Sequence, residues 1–245
     1  MGGLLVYLLY SKQVAVTPLR LGIGSAVATA KPKRRDRARN AARTKAVILD
    51  AAERLFAERG FEETTLALVG RAAGVSRATP GYFFGSKASL HRAVLERCFE
   101  DIRRAVREGK ERALASGETP DVILAGAVAD YADFIATRPN FVRLIEREAL
   151  SDRTVLEGMP LRSAVWQEAL AAFRQELGLD ISDTDEAAHL LLSLVALTWF
   201  PIVHGRTFLK AVGLNPAAPG FSDQRKRHIT MLLLGALRER GVFSS

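Results

Sequence analysis

The sequence predicts an all-α protein, with a compact unit of three short helices followed by a larger set of longer helices. Apolar residues recur at three- and four-residue spacing, and no segment alternates apolar and polar residues with the period of two expected of strands. Of the 245 residues, 48% are hydrophobic, so the chain can bury a substantial core. This length accommodates one large or two small domains.

The first 30 residues differ in character from the rest, and we expect them to form a poorly ordered extension outside the fold. Their apolar run, residues 4–10, lacks the preceding basic residues of a signal peptide. The run is also much shorter than the about 20 residues that span a bilayer. A processed targeting segment is the alternative interpretation.

Three short helices are predicted ahead of a long fourth one. The first, 43–59, carries an apolar face and ends at a glycine. Thr65 is a good N-cap for the second helix, which ends at Gly74. Ser76 is predicted to cap the third helix, and the fourth spans about 87–115.

Five further helices are predicted in the C-terminal part, where prolines and glycines separate the helical patterns. The run 187–203 is almost wholly apolar but contains polar residues and follows three acidic ones. This favours a helix buried on several faces, in a core and a subunit interface, over a transmembrane helix. The five predicted ranges are 120–137, 139–151, 159–177, 183–204 and 222–240.

A strong positive charge marks the N-terminal part of the chain. The net charge of +8 and the pI of about 10.0 indicate a polyanionic partner, such as nucleic acid or a membrane surface. Eight basic residues fall between positions 31 and 45, where Asp36 is the only acid. Such an arm can lie along phosphates or enter a minor groove, and a solvated charge run is the alternative. The arm residues expected to contact DNA are Arg34, Arg35, Arg37 and Arg43.

Residues 65–90 predict a helix-turn-helix. Two short helices joined by a glycine turn are a compact way to present one helix end to a DNA major groove. The basic arm lies just before this segment in the chain. Sequence-directed DNA binding is therefore the leading hypothesis.

Residues 43–90 resemble the DNA-binding domain of the TetR family of bacterial transcriptional regulators. The matching pieces are ILDAAERLFAERGFEETTL, AAGVSRAT and FFGSKASL, in order and at the family's spacing. The resemblance implies that the helix after Ser76 reads base edges through Arg77, Ala78 and Thr79. The full set of residues expected to touch DNA in this segment is Thr65, Ser76, Arg77, Ala78, Thr79, Tyr82, Phe83 and Lys87.

One departure from the family pattern affects this recognition helix. The family usually has a leucine–tyrosine pair where this chain has Pro80 and Gly81. Because a proline about four residues into a helix removes an early backbone hydrogen bond and a glycine weakens the helix, we expect a short recognition helix. Tyr82, one position later, is expected to take over part of the phosphate contact.

The same resemblance implies a homodimer whose larger half binds an unknown small-molecule effector. Two-fold symmetry would set two recognition helices over a pseudo-palindromic operator in double-stranded DNA, with the last two helices forming the dimer. The chain is then an extension (1–30), a basic arm and helix-turn-helix domain (31–95), and a helical effector-binding and dimerisation domain (96–245). A cytoplasmic repressor released by its effector, with no membrane partner, is the implied function.

Candidate residues for the effector pocket are aromatic or isolated polar side chains on apolar helices, and each is also compatible with ordinary core packing. No cofactor is expected, and no metal site, because no third ligand is spaced to join His189 and His204. The single cysteine, Cys98, is expected to be a small buried hydrophobe. The pocket candidates are Tyr131, Phe134, Trp166, Phe173, Trp199 and His204.

Three other classes of function remain as alternatives. An enzyme is not expected, because the sequence has no nucleophile elbow, phosphate-binding glycine loop or HExxH motif. A DNA-binding architectural protein without a ligand pocket would have a solid C-terminal core. A membrane-associated protein would use the apolar run near the N-terminus.

Overall fold

The fold is all-α, as the sequence predicts. In this computed structural model the described residues are 34–151, 155–156, 158–177 and 184–239, and within them the regular elements are helices without a strand. The expected N-terminal extension lies outside these residues. Backbone contacts divide the chain into two units, one ending at Arg39 and one beginning at Asn40.

The helix order matches the predicted one. A short π-helical stretch, Gly205–Leu209, continues the eighth helix, which contains Pro201. The helices are α1 Arg34–Glu63, α2 Leu66–Ala72, α3 Thr79–Phe84, α4 Lys87–Ser116, α5 Pro120–Ala136, α6 Pro139–Ala149, α7 Pro160–Leu177, α8 Thr184–His204 and α9 Phe221–Glu239.

Helix α1 begins at Arg34 rather than at the predicted residue 43. The intervening residues are rich in arginine and alanine, which favour helix but form no apolar face, so a periodicity argument misses them. Gly60 has a φ of +82° and kinks the helix at the position where the sequence predicts its end. A further short helical turn follows the kink. The Thr64 hydroxyl donates to the Gly60 carbonyl at 2.8 Å and fixes this bend.

The helix-turn-helix depends on one close backbone approach. Thr65 caps α2 as predicted, because its hydroxyl accepts the Leu68 amide at 3.2 Å. A Cβ added at Gly70 would lie 2.8 Å from the Ser76 carbonyl oxygen, so only glycine lets α2 approach the turn this closely. The positive φ of Gly74, +69°, reverses the chain between the helices.

The start of α3 differs from the prediction. The N-cap is Ala78, without a side-chain cap, whereas Ser76 was predicted to cap this helix. The Ser76 carbonyl accepts the Thr79 amide at 3.0 Å in the turn before the helix. Pro80 therefore lies in the first helical turn, where it displaces no intrahelical hydrogen bond. The helix has six residues, so its expected shortness is confirmed, but the expected cause, a hydrogen bond lost at Pro80, is wrong.

One apolar core joins the N-terminal helices to the later ones. We call residues 40–95 the head and the described residues from 96 to 239 the body. Head residues such as Phe56 and Leu90 belong to the same buried cluster as Phe141 of α6 and Trp199 of α8. Helix α4 links the two regions, since it contributes Val94 to the head and Ile102 to the body. A second buried cluster packs α5 against α8 and α9.

Helix α8 is strongly apolar. By length and composition, the segment Glu186–Leu209 is long and apolar enough to cross a membrane, and 28% of its apolar window is buried within the protein. Its inner face packs in the second cluster through Leu190 and Leu194. Its outer face, the π-helical stretch after it and the outer face of α9 keep large apolar side chains exposed, including Leu192, Phe200, Phe208, Met231 and Leu232.

Candidate functional site

The turn before α3 carries the side chains predicted to read DNA. Arg77 and Ala78 are exposed, and Thr79 is half-buried. The hydroxyls of Ser76 and Thr79 are hydrogen-bonded to each other at 2.7 Å, which orders the start of the helix. The structure thus brings Arg77, Ala78 and Thr79 together on one exposed turn, with the Arg77 guanidinium and the Ala78 methyl group at its surface.

The two predicted aromatic contacts differ in exposure. Tyr82 is 86% exposed and leaves its hydroxyl available to a partner such as phosphate. Phe83 is half-buried, packs against the core, and has the Lys45 ammonium 5.9 Å from its ring centroid. Phe83 therefore holds α3 against the head and offers less surface to DNA than Tyr82 does.

Lys87 begins α4, as predicted, but its ammonium already has partners within the protein. It donates to the carbonyl oxygens of Phe61 and Glu62, at 2.9 and 3.3 Å, and lies 4.2 Å from the Phe61 ring centroid. These carbonyls end α1, where a cation is favourable. A phosphate bound by Lys87, as predicted, would have to share its ammonium with the two carbonyl oxygens at the end of α1.

The arginines of the arm occupy the first turns of α1. Arg35 and Arg37 are exposed, and the side chain of Arg34 lies outside the described set. Within the same turns Arg39 lies 3.6 Å from Asp36, the one acid of the arm. Arg43, in the second unit, is also exposed. Exposed guanidinium groups of this kind bind phosphates through charge and bidentate geometry.

Helix α6 holds the head through two neighbouring residues that the sequence interpretation missed. Arg147 donates to the carbonyl oxygens of Ala57 and Glu58, at 2.9 and 3.1 Å, near the end of the main part of α1. Glu148 is buried, with its carboxylate 3.3 Å from Nε2 of buried His91 on α4. Such contacts make α6 a second link, besides α4, between body and head.

A cavity of about 430 Å³ lies in the body between α4, α5, α7 and α8. Three of the predicted pocket residues, Tyr131, Phe134 and Trp166, line it together. Small residues, which the sequence interpretation did not select, supply much of the remaining wall. They include Ala105, Gly109, Ala113, Gly126 and Ala169.

Of the other predicted pocket residues, Trp199 and His204 do not line the cavity. Trp199 is buried behind it and donates its indole N–H to the Tyr131 hydroxyl at 3.0 Å. His204 lies at the end of α8, with its ring 4.4 Å from that of Phe200. The Phe173 side chain falls outside the described set. Burial raises the pKa of the Tyr131 hydroxyl, so this residue stays neutral at physiological pH.

Ion pairs border the cavity. The Arg112 guanidinium lies 2.6 Å from Asp130, and the Lys226 ammonium lies 2.9 Å from Asp133. The hydrogen bond that Lys226 donates to the Asp133 carboxylate raises the pKa of the ammonium and keeps it charged. In the described ranges no three histidine, cysteine or acidic side chains are grouped to hold a metal ion. Cys98 is buried as expected, and burial raises the pKa of its thiol.

Comparison with known proteins gives a consistent result for the head. A family model described as "Bacterial regulatory proteins, tetR family" matches residues 48–94. The HTH-type transcriptional regulator TtgR of Pseudomonas putida is 44% identical over 57 residues, which are 23% of this chain and 27% of that regulator. The chain thus aligns with little more than a quarter of the length of that relative.

Two further similarities extend into the body. An uncharacterized HTH-type transcriptional regulator of Mycobacterium tuberculosis is 32% identical over 163 residues, covering 63% of this chain and 74% of the relative. The crystal structure of a TetR-like transcriptional regulator from Rhodococcus sp. RHA1 superposes with a TM-score of 0.58 at 19% identity. That superposition covers 80% of this chain and 96% of the other, and it extends the fold similarity to the body.

Proposed function

This chain belongs to the TetR family of bacterial regulatory proteins and is a DNA-binding transcriptional regulator, and we propose that it is a repressor released from its operator by a small-molecule effector. The observation that carries this proposal is the course of α4. Its first turns belong to the core of the head, and its later turns, from Ile102 onward, line the cavity. Such a regulator acts on DNA in the bacterial cytoplasm.

We propose that α3 enters the major groove and that Arg77 reads a base there. An exposed arginine can form a bidentate pair with guanine, and the Ala78 methyl can contact that of thymine. Helix N-termini attract phosphate, so the capped start of α2 at Thr65 suits a backbone contact. Tyr82, Lys87 and the exposed arginines of α1 would add phosphate contacts that fix the position of the head on the duplex.

The proposed operator-binding form is a homodimer through α8 and α9. Single exposed apolar residues are ordinary, but these two helices and the π-helical stretch after α8 together expose five large ones, among them Leu192 at 63% and Met231 at 60%. A second copy of the same surface would remove them from water. Two-fold pairing would then present two α3 helices to half-sites about one helical turn apart.

Release by the effector is proposed to act through α4 and α6. A ligand that binds better to one arrangement of α4 than to another shifts the population toward that arrangement. Because α4 carries core residues of the head, and Arg147 of α6 binds the end of α1, a shift in the body reaches the head directly. The distance between the two recognition helices would change, and operator affinity would fall.

The cavity also bears on the alternative of an architectural DNA-binding protein. That alternative predicts a solid C-terminal core, whereas a cavity of about 430 Å³ lies within the usual range of ligand pockets. Its apolar wall and its few aromatic residues are typical of small-molecule sites. The cavity therefore favours the sensing regulator.

Transcription in vitro tests this proposal. The template is a promoter overlapped by a duplex that the protein itself enriches from a random pool. We expect transcription to fall when the protein is added and to recover at high salt, because the phosphate contacts release counterions. The Arg77→Ala variant, at the same concentration, is the control and should repress transcription less. Activation, or equal repression of a promoter without the enriched duplex, would contradict the proposal.

A further inference from the structure

We infer that the effector is an elongated, uncharged and mainly apolar molecule that lies along α4. This inference rests on the proposed role of the cavity as the effector site. It concerns the shape and charge of the ligand, which three features of the cavity determine: its length, its wall and the charges at its border.

The cavity is long. It follows α4 from Ile102 to Ser116 and the neighbouring α5 from Val122 to Phe134. Fourteen residue steps along a helix cover about 21 Å. This length is several times the about 4.5 Å contact distance between apolar groups, so the cavity suits an extended ligand.

Small side chains on three helices create this space. Ala105, Gly109 and Ala113 follow one another at four-residue spacing and so form a row along α4. Gly126 of α5 and Ala169 of α7 face the same space. A Cβ added at Gly126 would have no neighbour within 4 Å, so the space beside this residue is not filled by other protein atoms. At the head end the wall changes to the aromatic side chains of Phe134 and Trp166.

The charges at the border compensate one another. Two of the four bordering acids, Asp130 and Asp133, pair with Arg112 and Lys226. With Lys226 counted, four acids and three bases leave a net charge of −1. The full set is Glu108, Glu118, Asp130, Asp133, Lys110, Arg112 and Lys226.

This balance favours an uncharged ligand. An anionic head group would meet an excess of acids. A cationic one would have to give up water for Asp130 and Asp133, which already have partners, and desolvation of a charge without a new partner is costly. The other two acids, Glu108 and Glu118, are exposed, so water screens their attraction for a cation. Burial of apolar surface is thus the main source of affinity, and the ligand gains nothing by carrying a charge.

Calorimetric titration of the full chain with four probes, each built on a ten-carbon chain or cage, tests this inference. The probes are 1-decanol, decanoate, decyltrimethylammonium and the compact alcohol 1-adamantanol. We expect 1-decanol to bind at least about tenfold more tightly than each of the other three. Tighter binding of an ion or of the compact alcohol, or no binding of any probe, would overturn the inference.

Two cavity-filling variants locate the binding. Gly126→Leu and Ala169→Leu each place a larger side chain in the cavity, and each should weaken 1-decanol binding by about tenfold or more. Ala171→Leu makes the same change at an exposed position of α7 that does not line the cavity, and it should bind like the original chain. Unchanged affinity in both cavity variants would move the alcohol to another site and overturn the inference.

A parallel DNA measurement separates this inference from the proposed function. If 1-decanol binds in the cavity and also weakens the complex with the enriched duplex, both hold. If 1-decanol binds in the cavity and the DNA complex is unchanged, the inference about the ligand is supported, and the proposed control of DNA binding by an effector is contradicted. If an ionic probe binds best and releases the DNA, the proposed function holds and the uncharged ligand is wrong.

Discussion

The head and the body of this protein are both helical, but they relate to the sequence in different ways. In the head, particular residues have particular geometric tasks: Thr65 caps a helix, Gly70 permits a close approach and Gly74 reverses the chain. In the body, the helices follow from apolar periodicity, and the cavity follows from where side chains are small. Head substitutions should therefore change DNA recognition or folding sharply, whereas body substitutions should act through assembly and volume.

The largest expected effect of a single substitution comes from the body. Leu192→Glu places a charge on the exposed apolar face of α8, and we expect it to prevent dimer formation. Because the second head then binds independently, operator affinity should fall by about 10²–10⁴-fold. Light scattering after size-exclusion chromatography gives the mass, and fluorescence anisotropy gives the affinity.

Leu150→Glu is the matched control for that variant. Leu150 is 87% exposed, at the end of α6 and away from α8 and α9 in the sequence. It should remain a dimer with unchanged operator affinity. A Leu192→Glu protein that is still dimeric would show that the two-fold contact uses another surface.

Loss of a single side chain at α3 should have the next largest effect. We expect Arg77→Ala to cost about 1–3 kcal/mol of operator affinity and to relax the preference at one base pair of each half-site. Competition binding with single-base-pair operator variants measures both. An equal loss on the operator and on random duplex would assign Arg77 to the phosphate backbone instead.

Gly70→Ala tests the close approach within the head. The added Cβ would lie 2.8 Å from Ser76 O and 3.2 Å from Arg77 Cα, and both neighbours are backbone atoms. Overpacking of this kind should lower the free energy of unfolding by about 1–3 kcal/mol. Chemical denaturation followed by circular dichroism provides the measurement.

The control for the Gly70 variant is Gly81→Ala. There the nearest atom to an added Cβ is Leu66 Cδ1 at 3.8 Å, an ordinary contact, and the backbone is helical. Alanine should therefore stabilise α3 by about 0.5–1 kcal/mol. If the two variants had equal stability, Gly70 would not be needed for the approach of α2 to the turn.

The smallest effect is expected at Tyr82. Removal of its exposed hydroxyl in Tyr82→Phe should cost about 0.5–1.5 kcal/mol of DNA affinity, equally for specific and random duplexes, if it binds a phosphate. Anisotropy titrations with both duplexes measure the loss. Unchanged affinity for both would show that the hydroxyl has no partner on DNA.

The sequence predicted the regular parts of this fold well. The bounds of α5 to α9 agree with prediction to within about two residues, because prolines and glycines mark their ends. The resemblance of residues 43–90 also identified the helix-turn-helix. The start of α1 was missed because arginine and alanine form helix without an apolar face.

Contacts between distant residues were not predictable in the same way. Lys87 was predicted from the family resemblance, but its two carbonyl partners at the end of α1 depend on how α1 and α4 pack. Arg147 gave no signal at all, since its acceptors lie about 90 positions earlier in the chain. The aromatic residues of the cavity stood out in the sequence, whereas its small residues did not, because a missing side chain produces no periodic pattern.

The central claim is that a symmetric pair of heads inserts α3 into successive major grooves. Selection of bound sequences from a pool of random duplexes at low salt tests it most directly. The account predicts an enriched inverted repeat, with half-sites centred about one helical turn, or about 10 base pairs, apart or a multiple of it. Enrichment of a single unrepeated site, or of no sequence, would contradict it.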